Sequence, residues 1–241
     1  MTVDGDPISS ALGVIQVMME YTGSVAFAIS GAVAAGRKKM DLVGVVVLAC
    51  IVAVGGGTMR DLLLGELPVF WVDNPTFLLV GAVTALIVVP LTRTRALDLL
   101  HRYQIVQVSD AAGMALFVVV GTNVAIAAGA DSVAAAIIGV ISGVGGGIIR
   151  DVLANDVPDV FRSGQFYATA ALIGAGVYVI LLEFDLDEAV VFWVPIVIIL
   201  AIRLGTLFLG WGVPTFRYGA PPTEPIPTAP PRPEGQGPTR R

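Results

Sequence analysis

The chain has one histidine, His101, and one cysteine, Cys50, among 241 residues. That inventory leaves no metal-binding cluster, no nucleophile–base pair of plausible spacing and no intrachain disulfide, so an enzyme is not expected. Charge is equally scarce. Only 14% of residues are Asp, Glu, Lys or Arg against 56% hydrophobic, and the mean hydropathy is +0.85, too apolar for an ordinary soluble domain. The apolar runs, such as 42–54 and 190–202, lack the polar–apolar alternation of an outer-membrane barrel. The lysine of a phosphate loop is missing from the GGGTMRD segment at 55–61, which continues an apolar run rather than a strand. What remains is an all-α, multi-pass membrane protein with the lipid bilayer around it, and with no cofactor and no nucleic-acid partner expected.

Seven spans follow from the requirement of about 20 apolar residues per crossing: 11–35, 42–64, 76–91, 105–128, 133–153, 166–182 and 190–212. The positive-inside rule orients them. Arg37, Lys38, Lys39, Arg93, Arg95, Arg102 and Arg162 fall on one side, and Glu66, Asp73, Asp131, Glu183, Asp185, Asp187 and Glu188 on the other. The amino terminus is therefore expected outside the cell membrane and the carboxyl terminus in the cytoplasm. The acidic start followed by Arg37-Lys38-Lys39 reverses the charge order of a signal peptide, so the first span is read as retained. Beyond 213 the sequence is rich in proline and poor in apolar residues, which predicts a disordered cytoplasmic tail.

The sequence repeats itself at an offset of 90. Gly23 matches Gly113, Phe27 Phe117, Gly31 Gly121, Asp41 Asp131, Ile51 Ile141, Leu63 Leu153 and Pro68 Pro158. Above all, Gly55-Gly56-Gly57 followed by Arg60-Asp61 recurs as Gly145-Gly146-Gly147 followed by Arg150-Asp151. Each copy holds three spans, an odd number, so the second lies inverted in the membrane. The organisation expected is an extracellular amino terminus (1–10), a first three-helix repeat (11–91), a cytoplasmic linker (92–104), a second, inverted three-helix repeat (105–182), a seventh helix (183–213) and the tail (214–241).

Helix breakers and charges are both costly at bilayer depth: about 1 kcal/mol for each glycine relative to alanine and about 2.5–3.5 kcal/mol or more for each charge. Placed on the second and fifth spans, the triplets fall near the midplane, with Arg60 and Arg150 about 6 Å beyond it on opposite sides at 1.5 Å per residue. Kinks at the glycines would free carbonyls of the preceding turns, 51–54 and 141–144, to replace water around a cation. The alternative is that the triplets are close-packing surfaces and the arginines structural; the two readings coexist.

Arg203 is a third intramembrane cation, expected to pair with Asp61 or Asp151, with pore or gate roles also open. Because consecutive helical residues point about 100° apart, each Arg is expected to pair with the Asp of the other repeat and so latch the two helices. Glu20 and Asp110, matched at the offset, read as solvated helix ends. Asp41 and Asp131 read as helix N-caps, Gly31 and Gly121 as close crossings, and His101 as a solvated loop residue.

The stretch GGGTMRDLLLGELPVFW, its degenerate copy GGGIIRDVLANDVPDVF, and two three-helix repeats plus a seventh helix resemble the bacterial members of the trimeric intracellular cation (TRIC) channel family over about residues 10–212. The resemblance implies a homotrimer with one hourglass pore per protomer, kinked at the glycines of the second and fifth helices and passing monovalent cations, potassium or sodium. It places Gly55, Gly56, Gly57, Gly145, Gly146 and Gly147 at the kinks. Animal relatives carry a Lys-Glu-Val motif around the triplet, so their lipid and calcium regulation does not transfer. Some bacterial relatives have been linked to glycine transport, which keeps a secondary transporter of glycine or another small amino acid as the alternative.

Overall fold

The structure is a computed structural model, and it describes residues 7–92, 102–162, 166–184 and 186–211. His101 and the tail lie outside the described residues. Eight helices run in the order α1 (Pro7–Arg37), α2 (Leu42–Leu64), α3 (Phe70–Asp73), α4 (Thr76–Thr92), α5 (Arg102–Ala127), α6 (Ser132–Leu153), α7 (Ala168–Leu182) and α8 (Glu188–Leu209), with no strand among the described residues. Five are long and apolar enough to cross a membrane; Thr76–Leu91 and Ala168–Leu182 are apolar but shorter. The four-residue α3, which the sequence reading did not foresee, has a counterpart in a 3-10 turn at Asp159–Phe161.

Asp41 and Asp131 start their helices as expected. Asp41 accepts from the Gly44 amide at 2.7 Å, and Asp131 from the amides of Val133 and Ala134 at 3.0 and 3.1 Å. These bonds satisfy amides that the first helical turn leaves unpaired.

The repeats meet through exchanged contacts. A Cβ on Gly23 would touch the Phe117 ring, and one on Gly113 the Phe27 ring, the same pair of contacts with the repeats interchanged. As residue number rises along α1 it falls along α5, so the two helices cross antiparallel. Between α2 and α6 the exchange recurs: Gly56 faces the Ser142 carbonyl and Gly146 the Val52 carbonyl. Within each repeat, Gly31 lies on the Ala49 Cα and Gly121 on the Gly139 Cα, the close crossings expected of these two positions. Around this centre α1 also packs on α4, and α5 on α7 and α8.

Both triplets lie within uninterrupted helix. What their missing side chains do is admit a neighbour, and each glycine admits a different one. Gly55 and Gly145 receive Ile149 and Met59 from the opposite helix. Gly56 and Gly146 receive a carbonyl from it. Gly57 receives the Phe70 ring, and Gly147 the Tyr167 hydroxyl and an Asp110 oxygen, each from its own repeat.

Candidate functional site

Four residues beyond each central glycine, the two arginines stand on opposite sides of the α2–α6 crossing. Arg60 donates through Nη1 to Glu20 Oε1 and through Nε to Asp61 Oδ1, both at 2.8 Å. The other oxygen of Asp61 accepts from the Phe70 amide at 2.8 Å, tying the end of α2 to α3. The Phe70 ring lies 5.5 Å from the Arg60 guanidinium carbon.

The second cluster repeats this plan and enlarges it. Arg150 donates through Nη1 to Asp110 Oδ1 at 2.6 Å and through Nε to Asp151 Oδ1 at 2.8 Å. Asp151 Oδ2 accepts from the Asp159 amide at 3.0 Å, at the start of the 3-10 turn. Four further groups have no equivalent in the first cluster: the Asp159 carboxylate, 3.7 Å from Arg150 Nη2, and three others. Ser30 accepts from Arg150 Nη1 at 2.7 Å, Tyr167 donates to Asp110 Oδ2 at 2.7 Å, and Arg203 Nη2 lies 3.8 Å from that same Asp110 oxygen. The Arg203 guanidinium carbon stacks 4.2 Å over the Tyr167 ring.

These contacts correct three expectations. Each arginine pairs within its own repeat, not across the pair, because the adjacent aspartate is reached by a long side chain folding back to put Nε against it; the angle between neighbouring Cα–Cβ bonds does not decide the matter. Glu20 and Asp110 are not solvated helix ends but buried partners, 7% and 0% exposed. Arg203 pairs with Asp110 rather than Asp61 or Asp151. Among the described residues the one cross-repeat partner of Arg150 is neutral, the Ser30 hydroxyl.

Counted as ionised, the first cluster sets two carboxylates against one guanidinium. The second sets Asp110, Asp151 and Asp159 against Arg150, Arg203 and, paired with Asp159, Arg162. A lone buried guanidinium would repel cations by several kcal/mol at low effective dielectric; the carboxylates reverse that sign around Arg60 and cancel it around Arg150. A polar cavity of about 250 Å³ opens onto the second cluster, lined by Arg150, Asp151 and Asp159. The Lys38–Asp156 ion pair, 2.8 Å, stands at its rim. Asp159 lies outside the helices, and Arg162 pairs with it at 3.2 Å. Its carboxyl is held above the ordinary carboxylate value, first by burial and then by the Asp151 charge, against the opposing pull of Arg150. Among the described residues no group of His, Cys, Asp and Glu has the arrangement of a metal site.

Sequence reasoning noted Glu20 and Asp110 but read them as solvated, and it passed over Tyr167, Asp159 and Ser30. A signal for the first two existed: each acid precedes its arginine by forty residues in both copies. Nothing comparable marks Ser30 or Asp159, whose repeat-mates are the apolar Val120 and Val69.

A family model described as "Glycine transporter" matches the chain twice, at 17–93 and 107–183, the same offset of 90 that the sequence carries. The inner membrane protein YadS of Escherichia coli is 42% identical over 199 residues, covering 82% of this chain and 94% of that protein. A membrane protein of Vibrio cholerae is 40% identical over 83% of this chain and 82% of its own length. Among solved structures, the TRIC trimeric intracellular cation channel orthologue from Rhodobacter sphaeroides superposes with a TM-score of 0.77 at 34% identity, covering 81% of this chain and 98% of that one. A second set of coordinates, for a prokaryotic TRIC channel in 0.5 M KCl, gives 0.75 at 28% identity, covering 82% of this chain and 98% of that one.

Proposed function

We propose, from the premise that this chain belongs to the bacterial TRIC channel family, that it is a monovalent cation channel passing potassium or sodium, assembled as a homotrimer with one path per protomer. The observation that carries the reading is the pair of carboxylate-rich clusters, Arg60–Glu20–Asp61 and Arg150–Asp110–Asp151, on opposite sides of the α2–α6 crossing. A cation approaching the crossing from either side meets carboxylates rather than a bare guanidinium, and the path lies inside one protomer because both clusters belong to one chain. The similar solved structures named above are TRIC channels, one of them described as a cation channel. Opening bends α2 and α6 at their glycines, which offer the least resistance to a change in helix path. The amino terminus faces outward, as the loop charges require.

The second reading, a carrier of glycine or another small amino acid, is favoured by the family model's description and by the 250 Å³ cavity, where carboxylates and guanidiniums stand together. A channel needs a continuous wet path with weak sites, a carrier one occluded site and two alternating states. Liposomes containing the purified protein separate the two. The channel reading expects potassium efflux that rises linearly with gradient and ignores glycine. Saturable glycine uptake without potassium flux would replace it with the carrier.

A further inference from the structure

The contacts at the crossing place two apolar side chains between the charged clusters. Ile149 fills the notch at Gly55: a Cβ there would meet Ile149 Cδ1 at 2.6 Å. Met59 fills the notch at Gly145: a Cβ there would meet Met59 Sδ at 2.6 Å. Met59 and Ile149 are repeat-mates, and so are Gly55 and Gly145, so the two helices interlock by exchanging one apolar side chain each. Met59 stands four residues after Gly55, and Ile149 four after Gly145, which puts knob and notch on the same face of each helix. Each knob immediately precedes its arginine, so the pair separates the Arg60 cluster from the Arg150 cluster. The surrounding residues 52–57 and 142–147 are buried, whereas Met59 and Ile149 are half-buried and retain accessible surface.

We infer that Met59 and Ile149 form the closed constriction of the cation path, a hydrophobic gate with Met59 as its moving half; this rests on the channel reading above. An apolar constriction narrower than a hydrated ion blocks by excluding water, without needing a charge. The two halves differ mechanically. Ile149 is β-branched and stiff at χ1, whereas Met59 is unbranched with three rotatable bonds and can leave the Gly145 notch without moving the backbone. Carboxylates on either side then hold cations next to a barrier that one rotamer change removes.

The test uses the full chain in liposomes, with Cys50→Ala as background and potassium efflux as readout. Met59→Asn and Ile149→Asn should each raise efflux by about tenfold, because a polar side chain wets the constriction. Met59→Ile, which stiffens the moving half, should lower it, while Met59→Leu should leave it near the background rate. Should the asparagine variants fail to fold, Met59→Cys keeps a weakly polar sulfur side chain at the site, though a shorter one. A cationic methanethiosulfonate reagent should change its efflux while leaving Val43→Cys, on the exposed face of α2, unaffected. If the background protein conducts but the asparagine and isoleucine variants match it and modified Met59→Cys is unchanged, the gate is elsewhere. If the background protein passes no potassium, the channel reading itself fails and the gate falls with it.

Discussion

Glu20 accepts from Arg60 at 2.8 Å across forty residues of sequence, with the side chains of both almost wholly buried. Asp110 stands in the same relation to Arg150, at 2.6 Å. Removing one partner of such a pair leaves an uncompensated buried charge, which costs about 3–5 kcal/mol. Asp110→Asn should therefore destabilise the protein more than Glu20→Gln, because Asp110 faces two guanidiniums, Arg150 and Arg203, whereas Glu20 faces only Arg60. Thermal unfolding in detergent ranks the two variants, and equal midpoints would mean that Arg203 does not depend on Asp110.

Pairing within a repeat also sets the pattern of coupling. A double-mutant cycle between Arg60 and Glu20 should show an interaction energy of about 0.5–3 kcal/mol, and one between Arg60 and Asp151 should be additive within about 0.5 kcal/mol. Coupling between Arg60 and Asp151 would restore the cross-repeat latch that the geometry replaces.

The glycines should rank by what an added methyl meets. At Gly56 it meets the Ser142 carbonyl, which belongs to packed helix backbone; at Gly57 it meets the edge of the Phe70 ring, a side chain. At Gly176 it meets nothing within 4 Å. Gly56→Ala should thus abolish folding or flux and Gly57→Ala impair it. Gly176→Ala should be neutral or stabilising by up to about 1 kcal/mol. Yield of folded protein by size exclusion reads the order, and a benign Gly56→Ala would remove the close crossing from the account.

Asp159 supplies a pH dependence. Its folded-state carboxyl binds a proton more readily than the unfolded one, so its contribution to stability is largest at low pH and is lost as pH rises through the raised value. The difference in melting temperature between wild type and Asp159→Asn should shift against the wild type as pH rises from about 4 to about 6. A shift in the opposite direction would show that the attraction of Arg150 and Arg162 outweighs burial.

The class, the helix order and the repeat were legible because composition and a fixed offset do not depend on side-chain geometry. The pairing was not. Glu20 and Asp110 were read as solvated helix ends although the spans 11–35 and 105–128 already put both more than one turn inside, and α1 from Pro7 and α5 from Arg102 extend further still. Arg203 was visible as a buried cation, but its partner depends on how α8 packs against α5, a long-range choice that local sequence does not encode. The glycine triplets announced a close approach without saying that three consecutive glycines accept three different neighbours.

Orientation is tested by labelling. With a membrane-impermeant thiol reagent applied to intact cells in a Cys50→Ala background, Asp187→Cys should react and Arg162→Cys should not. The reverse pattern would turn the protein over in the membrane without altering its fold.

The central claim is that the paired carboxylate-rich clusters admit cations. Its most direct test is the reversal potential of the purified protein in a planar bilayer under a potassium chloride gradient. The account predicts discrete conductance steps whose reversal potential lies near that for potassium. Steps reversing near the chloride potential, or no steps at all alongside saturable glycine uptake, would contradict it.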